Sequence, residues 1–425
     1  MSTLAPRPRV VIIGGGFGGL YAARALDGAP CDVVLIDRRN HHVFQPLLYQ
    51  VASAALSPGD IAEPIRGLVA GQDNVTVMMA EVRGVDLAAR EVALPDRKVS
   101  YDHLILAAGA THSHFGKDAW APYAPGLKSM ADALDIRQRV LLAFERAELA
   151  TDPNERRRHL TFAVVGGGPT GVELAGALCE IARKTLAQDF KRIDPTLTRV
   201  VLIEGGPSLL PSFPEDLRAS AQRQLQKLNV EVLLGRRVEL IDAEGVVVGE
   251  ERILTRTVLW AAGVSGVPLA RTLGAPLDRM GRVIVEADNT VPGHPEVVVV
   301  GDLASQSHTP SGQPLPGVAQ VAIQGGRHAA QNLRRVFAGK PTTPFVYKDL
   351  GNMATIGRSK AVAQIGRVHL SGYFAWLMWV FIHIIWLAGF RSRMVVLFQW
   401  TWSYITWERS ARLIHEHDIH AGEGP

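Results

Sequence analysis

The chain has 425 residues, 20% of them charged, with a formal net charge of +4 and a mean hydropathy of +0.10. That length accommodates two full cores and an appendage, and the mild charge gives no ground for a nucleic-acid partner while suiting an anionic lipid surface. Cys31 and Cys179, the two cysteines, stand far apart, which argues against a disulfide framework and agrees with a reducing compartment.

No apolar leader and no Arg/Ser-rich amphipathic helix precedes the first strand, so neither a signal peptide nor a transit peptide is expected. "VVII" (10–13) reads as a strand covered on both faces. Gly14, Gly16 and Gly19 then meet the G-x-G-x-x-G spacing, with Phe17 and Gly18 between them. The first glycine makes a tight turn, the second lets a pyrophosphate approach the backbone, and the third lets a helix pack on the strand. Asp37 ends the next strand, where it can accept hydrogen bonds from an adenosine ribose, with Arg38 beside it. His41 and His42 follow in a loop and are expected to face solvent. A third strand, "LILAA" (104–108), ends at Ala108-Gly109. A helix is predicted over 130–149, and the polar "ATDPNERRRH" (150–159) reads as a hinge.

The pattern then recurs. Gly166, Gly168 and Gly171 repeat the glycine spacing, with Pro169 and Thr170 inside it, and a helix is predicted over 171–190. "VVLI" (200–203) ends at Glu204, and "VLWAA" (258–262) ends at Ala262-Gly263. Three segments in the same order match at offsets of 152, 167 and 154 residues, which is a duplication. The fold class is α/β, with two Rossmann-like dinucleotide-binding domains, one for a tightly held FAD and one for exchangeable NADH. Glu204 is followed by Gly205-Gly206 and no Arg, so NADH is favoured over NADPH. Glu173, placed on the first turn of its helix, reads either as a carboxylate favoured by the helix dipole or as a group near the nicotinamide.

"VVVVGDLA" (297–304) carries Gly301-Asp302 after a late strand, where Asp302 suits a flavin ribityl chain or serves as an ordinary turn residue. The first reading returns the chain to the first fold and makes the second an insertion. The expected division is therefore 1–125 and 276–344 for FAD, 126–275 for NADH, and 345–425 for a C-terminal membrane-anchoring region. Gln320 and Gln324 stand at i and i+4, so one helical face presents two amides, either to a quinone carbonyl or to backbone groups.

Gly372–Phe390 has nineteen residues without Lys, Arg, Asp or Glu, and six of the eight Trp follow residue 371. The second apolar segment, 394–407, is too short to recross a bilayer and carries Gln399, Ser403, Thr406 and Ser410 as a polar stripe. A single span would place Arg391, Arg393, Arg409 and Arg412 opposite the NADH site, against the positive-inside bias. Two helices lying in the interface are expected, a monotopic arrangement, with a span or a dimer seam as alternatives. His383 is cheap to bury when neutral. "HEHDIH" (415–420) reads as a solvated end and not a metal site, and no metal is expected. No chain of intramembrane acids marks a proton relay, so no proton pumping is expected.

The paired glycine motifs, "NHHVFQPLLYQVA" (40–52), "LAAGATHSHFG", "GVELAGAL", "VGDLA", "GVAQVAIQGG" (317–326) and "FVYKDLGNMATIGR" (345–358) resemble the type II, non-proton-pumping NADH:quinone oxidoreductases over nearly the whole chain. The resemblance implies FAD on the first fold, at Gly14, Gly16, Phe17, Gly18, Gly19, Asp37, Arg38, Pro46, Leu47, Leu48, Ala108, Gly109, Gly301, Asp302, Ala319 and Gln320. It implies NADH at Gly166, Gly168, Pro169, Thr170, Gly171, Glu173, Glu204, Ala262 and Gly263. Glu173, Gln320, Gln324 and Lys360 would serve catalysis, with ubiquinone or menaquinone as acceptor. A homodimer is implied too, peripheral on the cytoplasmic face of a bacterial inner membrane. Relatives that work through cysteines beside the flavin are disfavoured, because neither Cys31 nor Cys179 has a nearby mate. Two other readings stand beside this one: a flavoprotein whose nucleotide state signals to a protein partner, and a reductase of a soluble carrier.

Overall fold

The computed structural model describes residues 7–406 and 411–414. The chain divides into two compact units, one of Met1–Val43, Ala62–Thr111 and Val264–Asp349, the other of Phe44–Ile61, His112–Gly263 and Leu350–Pro425.

In the first unit a six-stranded sheet runs Thr290–Val291, His294–Val299, His103–Leu106, Arg9–Ile13, Asp32–Asp37, Val75–Met79, parallel except at the Thr290–Val291 edge. Val10, Val11, Ile12, Leu104, Ile105 and Leu106 are fully buried, because both faces of the sheet are covered. The helices Phe17–Ala25 and Ala319–Phe337 pack on one face. A small antiparallel sheet contributes Val85, Val92 and Val99 to the other. The two helices meet so closely that a Cβ on Gly326 would lie 2.1 Å from the carbonyl oxygen of Gly18.

The second unit repeats this plan with four parallel strands, in the order Val230–Leu234, Arg199–Glu204, Thr161–Val165, Thr257–Trp260. The duplication survives in the strand register. Val11 lies opposite Val34 and Leu104, and its counterpart Ala163 lies opposite Val201 and Val258, the counterparts of those two residues.

The helix Met130–Leu149 has the predicted bounds and starts at a capping box, in which Ser129 accepts the Asp132 N–H and Asp132 accepts the Ser129 N–H. Residues 150–159 are not a bare hinge. Asp152 caps the Asn154 N–H and Pro153 opens the short helix Pro153–His159, where a missing N–H costs nothing. Arg158 and Arg256 then bind Glu155 and Glu244 in a four-membered ion network. The next helix starts two residues before the predicted position, with Pro169 at its first position, and spans Pro169–Glu180. It passes into a π-turn at Ile181–Thr185 and does not continue to 190.

The second unit ends with the three-stranded antiparallel sheet Asn352–Gly357, Lys360–Ile365, Val368–Ser371 and the helices Tyr373–Trp386 and Phe390–Thr406. Gly389, at φ +82°, lies in the break between them. The Arg358 guanidinium sits 4.0 Å over the Tyr404 ring, Trp376 stacks on Tyr404, and the Trp400 indole N–H donates to the Gln50 side-chain oxygen at 2.7 Å. Phe374, Leu377, Phe381 and Ile385, then Met394, Phe398, Trp402 and Ile405, are 41–73% exposed. Gln399, Ser403 and Thr406 are less exposed than those neighbours. The outward stripes are thus apolar and the predicted polar stripe turns partly inward. Among the described residues no helix is long and apolar enough to cross a membrane. Trp407, Arg409, Ser410 and the "HEHDIH" segment lie outside the described residues.

Gly176 faces the strand Asn352–Gly357, and a Cβ there would lie 1.8 Å from the Ile356 carbonyl oxygen. Backbone cannot yield as a flexible side chain can, so Gly176→Ala should destabilise the second unit by about 2 kcal/mol or more. Thermal unfolding measures this, and an unchanged midpoint would refute the packing.

Candidate dinucleotide-binding sites

Each unit carries a glycine cradle at the carboxyl ends of its parallel strands. In the first, the Gly14 N–H donates to Ile36 O at 2.8 Å, and Gly14 takes φ +104°. A Cβ on Gly14 would lie 2.4 Å from Ala107 O, and one on Gly19 would lie 1.8 Å from Gly14 O. A Cβ on Gly16 would meet nothing within 4 Å, and Gly16 caps the helix without a side-chain bond to its N-terminus. The cradle is therefore closed by backbone behind and open in front, with a helix N-terminus aimed into the opening. That is the shape a pyrophosphate needs.

The second cradle has the same parts. The Gly166 N–H donates to Ile203 O at 2.8 Å, Gly166 takes φ +111°, and a Cβ on Gly171 would lie 1.8 Å from Gly166 O. Gly168 faces open space and again caps its helix without a side-chain bond. Pro169 and Thr170 form the first helical positions.

The acids at the strand ends perform one task in both copies. Asp37 accepts the Gly15 N–H at 2.6 Å on one oxygen and the Arg39 N–H at 2.7 Å on the other. Glu204 accepts the Gly167 N–H at 2.5 Å and the Gly206 N–H at 2.6 Å. Each carboxylate thus clamps the glycine turn to the next strand, and its remaining lone pairs suit ribose hydroxyls.

The other predicted residues divide between the units. Arg38, Ala108, Gly109 (φ +72°), Gly301 (φ +73°), Asp302, Ala319 and Gln320 lie in the first unit, at strand ends or at the start of the helix Ala319–Phe337. Pro46, Leu47 and Leu48 lie in a short helical segment grouped with the second unit, as do Ala262 and Gly263 after the strand Thr257–Trp260. The Gln320 side-chain oxygen is buried with no protein partner. Gln324 differs: its amide nitrogen donates to Lys348 O at 2.9 Å and its oxygen accepts the Lys348 N–H at 3.0 Å. The backbone-satisfying alternative therefore describes Gln324 and not Gln320.

Glu173 stands on the second turn, because the helix opens at Pro169, so the helix-dipole account does not apply. Burial pushes its carboxyl up to about 8, against a bond from the Thr355 N–H that favours the charged form. Thr355 also donates through its hydroxyl to Lys360 O at 3.2 Å, so Glu173 and Lys360 meet one hairpin.

Two positions were missed. His42, expected to face solvent, is 2% exposed; its Nδ1 lies 2.9 Å from Gly15 O and its ring stands edge-on to Phe17 at 5.1 Å. Burial lowers its pKa, and a neutral ring facing a carbonyl donates from Nδ1, so His42 holds the glycine turn from the side opposite Asp37's bond to the Gly15 N–H. Arg237 is the second. Its Cγ lies 3.4 Å from where a Gly205 Cβ would stand, so a basic residue reaches the Glu204 loop from the end of the next strand. The run "GRR" (235–237) was the available signal.

Cys31 and Cys179 are buried in their own units, and desolvation raises their thiols to about 11 and about 12. Neither is an activated thiolate. His383 is also neutral: burial lowers it to about 4, its Nδ1 lies 2.8 Å from Trp379 O, and its ring stacks on Trp379.

The family model described as pyridine nucleotide-disulphide oxidoreductase matches residues 8–326. The chain is 46% identical to the type II NADH:quinone oxidoreductase NdhA of Mycobacterium tuberculosis, over 99% of this chain and 92% of that protein. It is 44% identical to the type II NADH:quinone oxidoreductase Ndh of the same organism, over 98% and 92%. The solved structure of NDH2 from Plasmodium falciparum in complex with NADH superposes with a TM-score of 0.85 at 23% identity, covering 93% of this chain and 98% of that one.

Glu173 also carries a measurable pH dependence. Its carboxyl is protonated in both folded and unfolded chains below the ordinary value of 4.5, and between 4.5 and about 8 only the unfolded chain ionises. Stability therefore falls with rising pH through that window, by up to about 1.4 kcal/mol per unit. Glu173→Gln should be more thermostable than the parent at pH 8, with the difference closing towards pH 5. A constant difference would show that this carboxyl is not held protonated.

Proposed function

The chain belongs to the type II NADH:quinone oxidoreductases, and from that membership we propose that it oxidises NADH and passes two electrons to a membrane quinone without pumping protons. The observation that carries the reading is the pair of open glycine cradles, each clamped by its own acid. One cradle suits a resident nucleotide and the other an exchangeable one. We assign FAD to the first unit, at Gly14 to Gly19, Asp37, Gly109 and Asp302, and NADH to the second, at Gly166 to Gly171, Glu204 and Gly263. Bound FAD supplies the chemistry that accepts a hydride and releases electrons to a quinone.

The chain's own residues orient and protonate. His42 and Asp37 fix the turn that would carry the FAD pyrophosphate. Gln320, with an unpartnered buried amide oxygen, leaves a polar group for a ligand in its unit. Quinone reduction to quinol takes up protons, and Glu173, which holds one near neutral pH, is suited to supply it. The exposed apolar stripes on the last two helices support a lipid surface as the place where the quinone is met. The cytoplasmic face of a bacterial inner membrane follows from where NADH is found, and a homodimer belongs to the same reading.

An absorption spectrum of the purified protein tests the core of this. A flavin band should bleach on NADH addition and return on addition of a short-chain quinone, and a colourless protein would refute the reading. Glu204→Arg should weaken NADH and admit NADPH, since a second guanidinium beside Arg237 would receive a 2′-phosphate. Unchanged kcat/KM for both nucleotides would show that Glu204 does not touch the ribose.

A further inference from the structure

In the second unit one side chain is held in a costly conformation with little burial to offset it. Phe115 takes φ +53° and Gly116 takes φ +81°, and the Lys117 N–H donates to His114 O at 3.0 Å across them. A tight turn with two left-handed central residues ordinarily uses Asn, Asp or Gly, and a phenyl group there is an outlier. Yet Phe115 is 68% exposed. Outliers of this kind gather where a ligand is handled.

The surrounding loop is pinned on every side. The His114 ring is buried with Nε2 3.1 Å from Ala124 O, the Trp260 indole N–H donates to Ser113 O at 2.9 Å, and the Lys117 ammonium donates to Glu239 O at 2.9 Å. The fold therefore places the Phe115 ring, and it places it over Gly263. The ring's Cζ lies 2.5 Å from where a Gly263 Cβ would stand, and the ring is edge-on to Trp260 at 6.0 Å between centroids.

Sheet order says what passes there. The strand Thr161–Val165, whose turn forms the cradle, lies between Arg199–Glu204 and Thr257–Trp260. A dinucleotide crossing the strand ends with its adenosine ribose on Glu204 must extend its other half over the end of Thr257–Trp260, towards Gly263. We propose that Phe115 is a nicotinamide-positioning residue, an aromatic wall against which the nicotinamide ring of NADH is held flat above Gly263. This rests on the assignment of NADH to the second unit.

The test compares NAD⁺ with ADP-ribose, which lacks the nicotinamide, by calorimetry on the full chain with its flavin. Phe115→Asn suits the left-handed turn and should not lower the thermal midpoint. It should weaken NAD⁺ by roughly tenfold, the scale of one aromatic contact, and leave ADP-ribose unchanged. Phe115→Tyr should restore NAD⁺ affinity, and Phe115→Ala should repeat the selective loss. Parallel weakening of both ligands, or no weakening of NAD⁺, would overturn the proposal. A parent protein that bound neither ligand would overturn the NADH assignment itself, and this inference with it.

Discussion

The constraint on which the rest depends is the bond from a strand-end carboxylate to the middle glycine of each turn. A G-x-G-x-x-G pattern leaves the second residue free, yet both copies place glycine there, as Gly15 and Gly167. The clamp explains this. A Cβ on Gly167 would stand 2.9 Å from the Glu204 carboxylate, and one on Gly15 would stand 2.5 Å from the Ile65 side chain. The acid needs the N–H, and the N–H is reachable only if nothing projects beside it. The turn and the neighbouring strand are thereby locked before any nucleotide arrives, which lowers the ordering cost of binding.

The two copies differ in what reinforces the clamp. In the first, His42 adds a bond to Gly15 O, so Gly15 is held through both its N–H and its carbonyl. In the second, the Leu210 N–H donates to Gly167 O at 2.8 Å, so backbone performs there the task that a histidine ring performs in the first.

Much of this was legible in the sequence because strand pairing is nearly local information here. The three matched segments carried both the strands and their register, and the helix Met130–Leu149 announced itself through its apolar spacing, while its capping box at Ser129 and Asp132 emerged only in the structure. What was not legible depends on contacts between distant segments. Gln320 and Gln324 look alike at i and i+4, and only the arrival of Lys348 separates them. Glu173 was placed one turn too early because Pro169 was not counted as the helix start. Asp152-Pro153 was a cap and a first turn, overlooked among polar neighbours.

The C-terminal helices reverse the usual rule of helix burial. Ala375, Trp379 and Val396 face the unit, while a greater number of large apolar side chains, Phe374, Phe381, Phe398 and Ile405 among them, face outward. A soluble helix that exposed this stripe would lose about 25 cal/mol for every Å² left in water. The attachments beneath do not require such a surface: Arg358 on Tyr404, Trp400 on Gln50 and Phe44 edge-on to His383 are contacts on the inner side. The inner contacts fix the helices to the second unit and leave the outer stripes exposed, as the proposed lipid contact requires. Because Gly389 lies in the break between the helices at φ +82°, both stripes can face outward, although among the described residues neither helix is long and apolar enough to cross a membrane.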